Sequence, residues 1–392
     1  MAMIEPRDQA ELADAIADAA AQGRSIELRG GGSKAAIGAE RPDATLLSMR
    51  GFAGIVDYDP PELVLTLRPG TPLAEVEALV AGEGQMLAFE PFDHGPVFGQ
   101  PAGVATIGGV IAAGVAGSRR LTAGGARDHL LGFHGVSGRG EAFVAGAKVV
   151  KNVTGYDLSK LVTGSWGQLV ALTEITLKVL PRPTATATRV VLGLDPAGAT
   201  AAMAAAMRGQ AEVSAAAYLP ADLAEGTSIT AFRLEGFGPS VAARCTMLQA
   251  ILAQHGRVAE FSESVAQDFW QAIRTLAPLD DGRPLWRINT PPSAGPRLGE
   301  RLASQGARWI ADWAGGLVWL TFDHDPATVR RAAEAAGGHA TLVRAPAALR
   351  AVVPALHPPA PGVAALSARI RRAFDPLAVF ETGRFLDASH AD

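Results

Sequence analysis

Leu12, Ala15, Ile16 and Ala19 recur at helical spacing behind Asp8 and Glu11, which stand three apart as at a helix start, and Gly23 stops the run. Residues 25–28 then read as a short strand, and residues 63–67 as a second. Thr71-Pro72 opens a helix with proline at its first position, and Gly82 ends it. Strand signals return at 141–150 and 169–179, and Pro181-Arg182-Pro183 marks a domain boundary.

Beyond that boundary the pattern changes. Strands at 190–194, 212–218, 229–234 and 257–261 alternate with helices at 197–208 and 241–255. The order is β-α-β-β-α-β, a split ferredoxin-like unit. A second pass runs from Trp286 to Val343: a strand, a helix at 297–305, strands at 308–312 and 317–322, a helix at 327–336 and a strand at 340–343. The expectation is a duplicated antiparallel sheet with helices on one face. The alanine-rich run at 201–217 is a helix former that gives way to a strand. Residues 354–361 form a second linker, and 363–374 a short amphipathic helix that stops before Asp375-Pro376.

Composition narrows the function. A chain of 392 residues predicts two or three domains, and 48% apolar against 19% charged residues is not a disordered composition. Thirty-five Lys and Arg against 39 Asp and Glu give −4, which supplies neither a basic nucleic-acid footprint nor a polybasic membrane patch. One cysteine, Cys245, excludes an internal disulfide, an iron–sulfur cluster held by this chain alone and a cysteine-rich zinc site. Residues 1–8 lack a basic segment followed by an apolar run, so no secretory signal is expected. The nearest apolar stretch, 102–118, is mostly glycine and alanine and does not read as a spanning helix. A reducing, cytoplasmic setting is expected.

Forty-four glycines ask for tight turns or close backbone approaches. Three segments carry candidate chemistry. Arg29-Gly30-Gly31-Gly32-Ser33-Lys34 follows a strand directly; three glycines let consecutive N–H groups converge on an anion such as a diphosphate, although an ordinary glycine turn reads the same way. Pro101 to Gly109 ends in Thr106-Ile107-Gly108-Gly109, a helix start whose free N–H groups suit a diphosphate, or whose small residues suit close packing. Lys148 to Leu158, with Lys151, Asn152, Tyr156 and Asp157, is a polar loop after a strand; it suits an aromatic cofactor ring, or is a solvated turn. The Rossmann spacing, a Walker A loop and a G-x-S-x-G turn are all missing. No two of the eight histidines lie three or four apart, so no metal site is expected. Arg233 and Arg287 on candidate strands suit a carboxylate clamp or ordinary ion pairing. Arg369, Arg371 and Arg372 read as a solvated helix face. Trp309, Trp313 and Trp319 are candidates for an exposed partner patch, or for core.

In this order the three segments resemble the FAD-binding domain of the vanillyl-alcohol-oxidase (PCMH-type) flavoproteins. The resemblance covers about residues 5–182 and a tail, Phe374-Asp375-Pro376 with Thr382-Gly383-Arg384, in which Glu381-Thr382 replaces the family's usual Asn-Pro. Within the family the chain is most similar to the small FAD-binding subunits of bacterial glycolate oxidases. The resemblance implies an α+β chain: a two-part FAD-binding domain (1–182), a ferredoxin-like, duplicated cap (183–360) and a segment returning to the first domain (361–392). It implies that residues 30–34 and 106–109 hold the FAD diphosphate. It places Arg127 and Asp128 beside the cofactor, residues 151–157 near the isoalloxazine, and Glu174 and Ile175 near the adenosine. Arg29, Pro101, Ala113, Gly117 and Arg384 complete the implied FAD contacts. Covalent members use a histidine in or near the first glycine loop; residues 29–38 have none, which implies non-covalent FAD. The H-x-G-D-G-N-x-H metal motif of the larger, substrate-oxidising subunit is also missing. The implied partners are therefore that larger flavin-containing subunit and an iron–sulfur subunit, with a small 2-hydroxy acid as substrate and any membrane association running through the partners. The alternatives are a self-sufficient FAD-dependent 2-hydroxy acid dehydrogenase, with Lys151, Tyr156, His94 or Asp157 as base, and a structural subunit that no longer needs flavin.

Overall fold

A computed structural model describes residues 3–147 and 156–385, and its chain divides into two compact units. The first takes Met1–Gly117, Gly124–Pro181 and Pro358–Asp392. Strands β1 (Met3–Ile4), β2 (Ile26–Arg29) and β3 (Thr45–Ser48) form a parallel sheet in the order β1-β3-β2. The helix Gln9–Ala21 supplies the crossover, capped by Asp8, whose carboxylate accepts from the amides of Ala10 and Glu11. Strands β4 (Ile55–Asp59), β5 (Val64–Leu67), β7 (Leu130–Ser137), β8 (Ala142–Gly146) and β9 (Val170–Lys178) form an antiparallel sheet ordered β4-β5-β9-β7-β8. A small ribbon joins β6 (Gln85–Met86) to β10 (Leu180–Pro181). Leu12, Ile16, Ile26, Leu47, Val136 and Ala171 share a core with Val379 and Phe380, so the C-terminal segment fills the interior of this unit. Asp375 fixes that return by accepting from the amides of Val379 and Phe380 at 2.9 and 2.7 Å.

The second unit takes Ser118–Ala123 and Arg182–His357. It contains β11 (Ala185–Leu192), β12 (Ala215–Leu219), β13 (Ile229–Gly236), β14 (Val258–Glu260), β15 (Leu285–Asn289), β16 (Arg308–Asp312), β17 (Leu317–Thr321) and β18 (His339–Arg344). They form one sheet, ordered β14-β11-β13-β12-β16-β17-β15-β18. Each half has the 4-1-3-2 order of a split β-α-β-β-α-β unit, so the duplication read in the sequence is present. The halves meet where Tyr218 on β12 pairs with Ala311 on β16.

Side chains alternate across a strand, and here the alternation separates two faces. Phe232, Leu234, Trp286, Ile288, Val318 and Leu320 join Met203, Leu248, Leu298 and Val329 from the helices in a single core. Their neighbours in sequence, Arg233, Glu235, Arg287 and Trp319, take the other face. Helix Glu263–Thr275, which the sequence reading missed, covers part of that face: Trp270 donates to Thr188 Oγ1 at 3.0 Å and lies under the Arg233 guanidinium. Ser118–Ala123 covers another part. Ser118 Oγ donates to Asp312 Oδ2 at 2.7 Å, and Arg119 Nε to Glu235 Oε2 at 2.8 Å. Trp309, Trp313 and Trp319 are buried, which overturns their candidacy as an exposed patch.

Candidate flavin site

In the first unit β2 ends at Arg29, whose carbonyl accepts from the Met49 amide at 2.8 Å, and the chain turns through Gly30, Gly31 and Gly32. These glycines are sterically required. A Cβ on Gly31 would stand 1.4 Å from the carbonyl oxygen of Val104, and one on Gly30 2.3 Å from Thr106 Oγ1. Gly32 adopts a left-handed φ of 86°. The two glycine-rich segments, about 75 residues apart in sequence, are thus pressed backbone to backbone.

Each is held from outside. Asp93 fixes the second segment: Oδ2 accepts from the amides of Gly103, Val104 and Ala105 at 2.8, 3.1 and 3.4 Å, and Oδ1 from Gly95 at 2.8 Å. Arg384 fixes the first. Its Nε donates to the Ile37 carbonyl at 2.7 Å, its Nη2 to the Lys34 carbonyl and its Nη1 to Glu27 Oε1 at 3.1 Å. Glu27 also receives Arg29 at 2.8 Å. Neither Asp93 nor Glu27 belongs to a recognisable motif. A lone acid at the end of a strand or in a loop gives no sign that its partners lie 11 or 357 residues away.

The loop that these contacts hold rigid keeps its own donors. Among the described residues no backbone amide from 30 to 34 donates a hydrogen bond to protein. Ser33 and Lys34 are buried, and the ammonium of Lys34 donates only to Ser33 Oγ, at 3.3 Å. Burial pushes the Lys34 ammonium down to about 8, with the Asp93 carboxylate opposing that fall. A buried cation with unused donors, beside unspent amides on a glycine loop packed against Val104 and Thr106, fits a diphosphate.

The second segment behaves differently from expectation. Helix Ile107–Ala113 begins with Thr106 as cap, its Oγ1 accepting from Gly109 N at 3.4 Å. Yet the amides of Ile107 and Gly108 donate to the carbonyls of Thr71 and Pro69 at 3.0 and 2.8 Å, and a Cβ on Gly108 would strike Pro69. The N–H groups read as free are spent on packing against 69–72, where Pro72 and Thr106 form a β-bridge. The segment meets the first loop through Val104 and Thr106.

Comparison with known proteins gives the family. Residues 1–146 match a family model described as an FAD binding domain. Over 368 residues, 92% of each chain, the protein is 36% identical to glycolate oxidase subunit GlcE of Escherichia coli. The chain belongs to the vanillyl-alcohol-oxidase type FAD-binding family. A second relative, glycolate oxidase subunit GlcD of Bacillus subtilis, is 29% identical over 57% of this chain and 44% of its own length. The crystal structure of p-cresol methylhydroxylase with substrate bound superposes with a TM-score of 0.72, covering 100% of this chain and 89% of that one at 13% identity, which speaks to the fold.

The remaining family positions fall unevenly. Pro101 is exposed and Ile107 fully buried. Ala113 ends its helix half-buried, and Gly117 packs on Glu90, its amide donating to the Phe89 carbonyl at 2.9 Å. Arg127 is exposed, while Asp128 turns back to accept from Gly125 N at 2.9 Å, so its carboxylate is used in its own turn. Asp157 caps helix Leu158–Val162, accepting from Lys160 N at 3.0 Å; Lys160 beside it, with Arg127 adding, holds its carboxyl below the usual range. Tyr156 is 94% exposed. Glu174 lies opposite His134, 3.7 Å from its Nε2, and Ile175 is core. His94 is buried and stacked on Phe92 at 4.1 Å between ring centres. Lys151 and Asn152 lie outside the described residues. The geometry brings together Arg29 to Lys34, Thr106 and Arg384. It leaves Arg127, Asp128, Tyr156, Asp157, Glu174 and Ile175 in local contacts of their own.

Proposed function

We propose that this chain is the FAD-binding subunit of a glycolate oxidase and takes part in oxidising a small 2-hydroxy acid, glycolate, to the 2-oxo acid. Its partners in this reading are a larger flavin-containing subunit and an iron–sulfur subunit. The observation that carries the reading is the loop at 30–34: buried Lys34, unspent amides and a backbone approach that only glycine permits. Identity over nearly the whole length to a protein named as a glycolate oxidase subunit supports the choice of enzyme.

Bound FAD supplies a two-electron acceptor for the alcohol carbon. The chain's own residues bind and orient it. The amides of 30–34 and the Lys34 ammonium would hold the diphosphate, while Thr106 packs against Gly30 and Arg384 bonds the loop's carbonyls. With no histidine in 29–38 the attachment is non-covalent. A single cysteine leaves no iron–sulfur ligand set in this chain, so electrons leave through a partner or a soluble acceptor. Among the described residues no helix is long and apolar enough to cross a membrane, so membrane association in this reading runs through the partners.

The test is the visible spectrum of the purified chain, repeated after acid precipitation and after anaerobic addition of glycolate. Yellow protein that releases FAD on precipitation and is not bleached by glycolate is the expected result. Bleaching moves substrate oxidation into this chain, the self-sufficient reading. Colourless protein that FAD cannot reconstitute refutes the flavin reading.

A further inference from the structure

The second unit holds a deeply placed cation that the flavin loop does not use. Arg287 sits on β15 between Trp286 and Ile288, which face the helix-side core, and so takes the opposite face of the sheet. Its guanidinium carbon is 5.2 Å from the centre of the Trp313 ring and 5.9 Å from that of Trp319. Both indoles are buried, so the cation is fixed by aromatic walls that do not move with solvent. Nη1 donates to Asn289 Oδ1 at 2.6 Å.

No carboxylate among the described residues forms an ion pair with Arg287. The charge that acts on it is another cation: Arg120, whose guanidinium lies 4.6 Å from the centre of the same Trp313 ring. Burial first, and Arg120 second, push Arg287 down to about 10. Elsewhere on this face cations are matched: Arg119 and Arg233 both reach Glu235. Arginine is rarely placed this deep without a counter-charge, because an uncompensated cation loses its hydration for nothing in return. Arg287 is surrounded on most sides yet remains in part exposed. His339 and Thr341 stand opposite Asn289 and Arg287 on β18. Burial, Arg287 and His357 hold His339 below its usual range, so it adds hydrogen-bonding capacity without a third positive charge.

We propose that Arg287, with Arg120, Asn289 and the indoles of Trp313 and Trp319, forms a binding site for the carboxylate of a small monoanionic acid. A guanidinium with no carboxylate partner calls for an anion, and its fork matches a planar carboxylate through two parallel hydrogen bonds. The site lies wholly in the second unit and goes beyond the flavin reading. A 2-hydroxy acid is one member of the class that it takes.

The test is calorimetric titration of the full chain with acetate, glycolate and inorganic phosphate at low chloride, beside Arg287→Met and Arg287→Lys. Saturable 1:1 binding is expected, weakened about ten- to a hundredfold in Arg287→Met by loss of the charge-assisted hydrogen bonds. Arg287→Lys keeps the charge without the fork and gives an intermediate affinity, and it carries the test should the Met variant not fold. Removing an unpaired buried charge leaves the ligand-free Tm of Arg287→Met at or above that of the parent, whereas a purely structural arginine lowers it. No saturable binding by the parent, unchanged affinity in both variants, or tighter binding of inorganic phosphate than of acetate each overturns the proposal. Flavin absorbance is read on the same samples. A chain that stays colourless after FAD is added but binds acetate refutes the flavin reading alone, and a yellow chain that does not bind acetate refutes this site alone.

Discussion

Alanine placed in turn at Gly30, Gly31 and Gly32 separates steric from conformational need at the flavin loop. At Gly31 the new Cβ meets the Val104 carbonyl oxygen at 1.4 Å, with Thr106 Cγ2 at 3.3 Å. An ordinary carbon–oxygen contact is ~3.3 Å, so the two segments must part by about 2 Å. Neither side gives easily: Val104 is tied to Asp93, and the first loop to Arg384. The cost is that of overpacking against backbone, about 3–4 kcal/mol. At Gly30 the obstacle is Thr106 Oγ1 at 2.3 Å, the helix cap itself, and the cost is about 2 kcal/mol, the cap and the steric push together. At Gly32 the nearest atom is Arg29 Cδ at 3.8 Å, so only the left-handed φ of 86° is penalised, about 1 kcal/mol. Urea unfolding of the ligand-free chain gives the stability order, and quenching of FAD fluorescence gives cofactor affinity. The expected order of damage, in both assays, is Gly31 worst, Gly30 next and Gly32 least. Gly31→Ala with parental stability and parental FAD affinity refutes the packed-loop account, as does Gly32→Ala proving the most harmful.

Two further outcomes follow from the same site. Arg384→Met removes donors from two carbonyls and from Glu27, which keeps Arg29; a loss of about 2–3 kcal/mol is expected in urea unfolding, with weaker FAD binding. Lys34 titrates near 8 in the folded chain and at 10.5 in the unfolded one, so between those values the unfolded chain holds the extra proton and ligand-free stability rises with pH. The gain is about 3 kcal/mol across that window and is missing in Lys34→Met, which paired pH–stability curves measure. FAD affinity of the parent falls over the same window as the ammonium is lost, and a flat affinity from pH 7 to 10 contradicts a Lys34–diphosphate contact.

Much of the cap was legible before any coordinate. Periods of two and of 3.6 are carried by near neighbours, so the strands and helices from Ala185 to Arg344 could be read one after another, and their repeated order implied the duplication. Helix Glu263–Thr275 escaped because its charged and apolar residues stand where the repeat leads one to expect only a linker. Strands β3 and β4 escaped because they are short and bounded by turns, and the parallel sheet that holds β3 has no local signature.

The flavin site divides along the same line. Three glycines after a strand, and a second glycine-rich segment 75 residues on, are local facts, and they sufficed to suggest an anion site and a family. What those glycines do was settled by distance in space. Gly31 admits the Val104 carbonyl, whereas Gly108, in an equally suggestive motif, admits Pro69 and spends its amide there. Lys34 stands in a candidate anion loop, but only the fold shows that burial removes its water; Arg287 suits a clamp or an ordinary ion pair, and only the folded sheet sets it beside Arg120 with no ion-pair partner among the described residues. Composition and period fix which elements form; hydration and charge pairing depend on which atoms the tertiary fold brings within a few ångströms, and no local pattern encodes that.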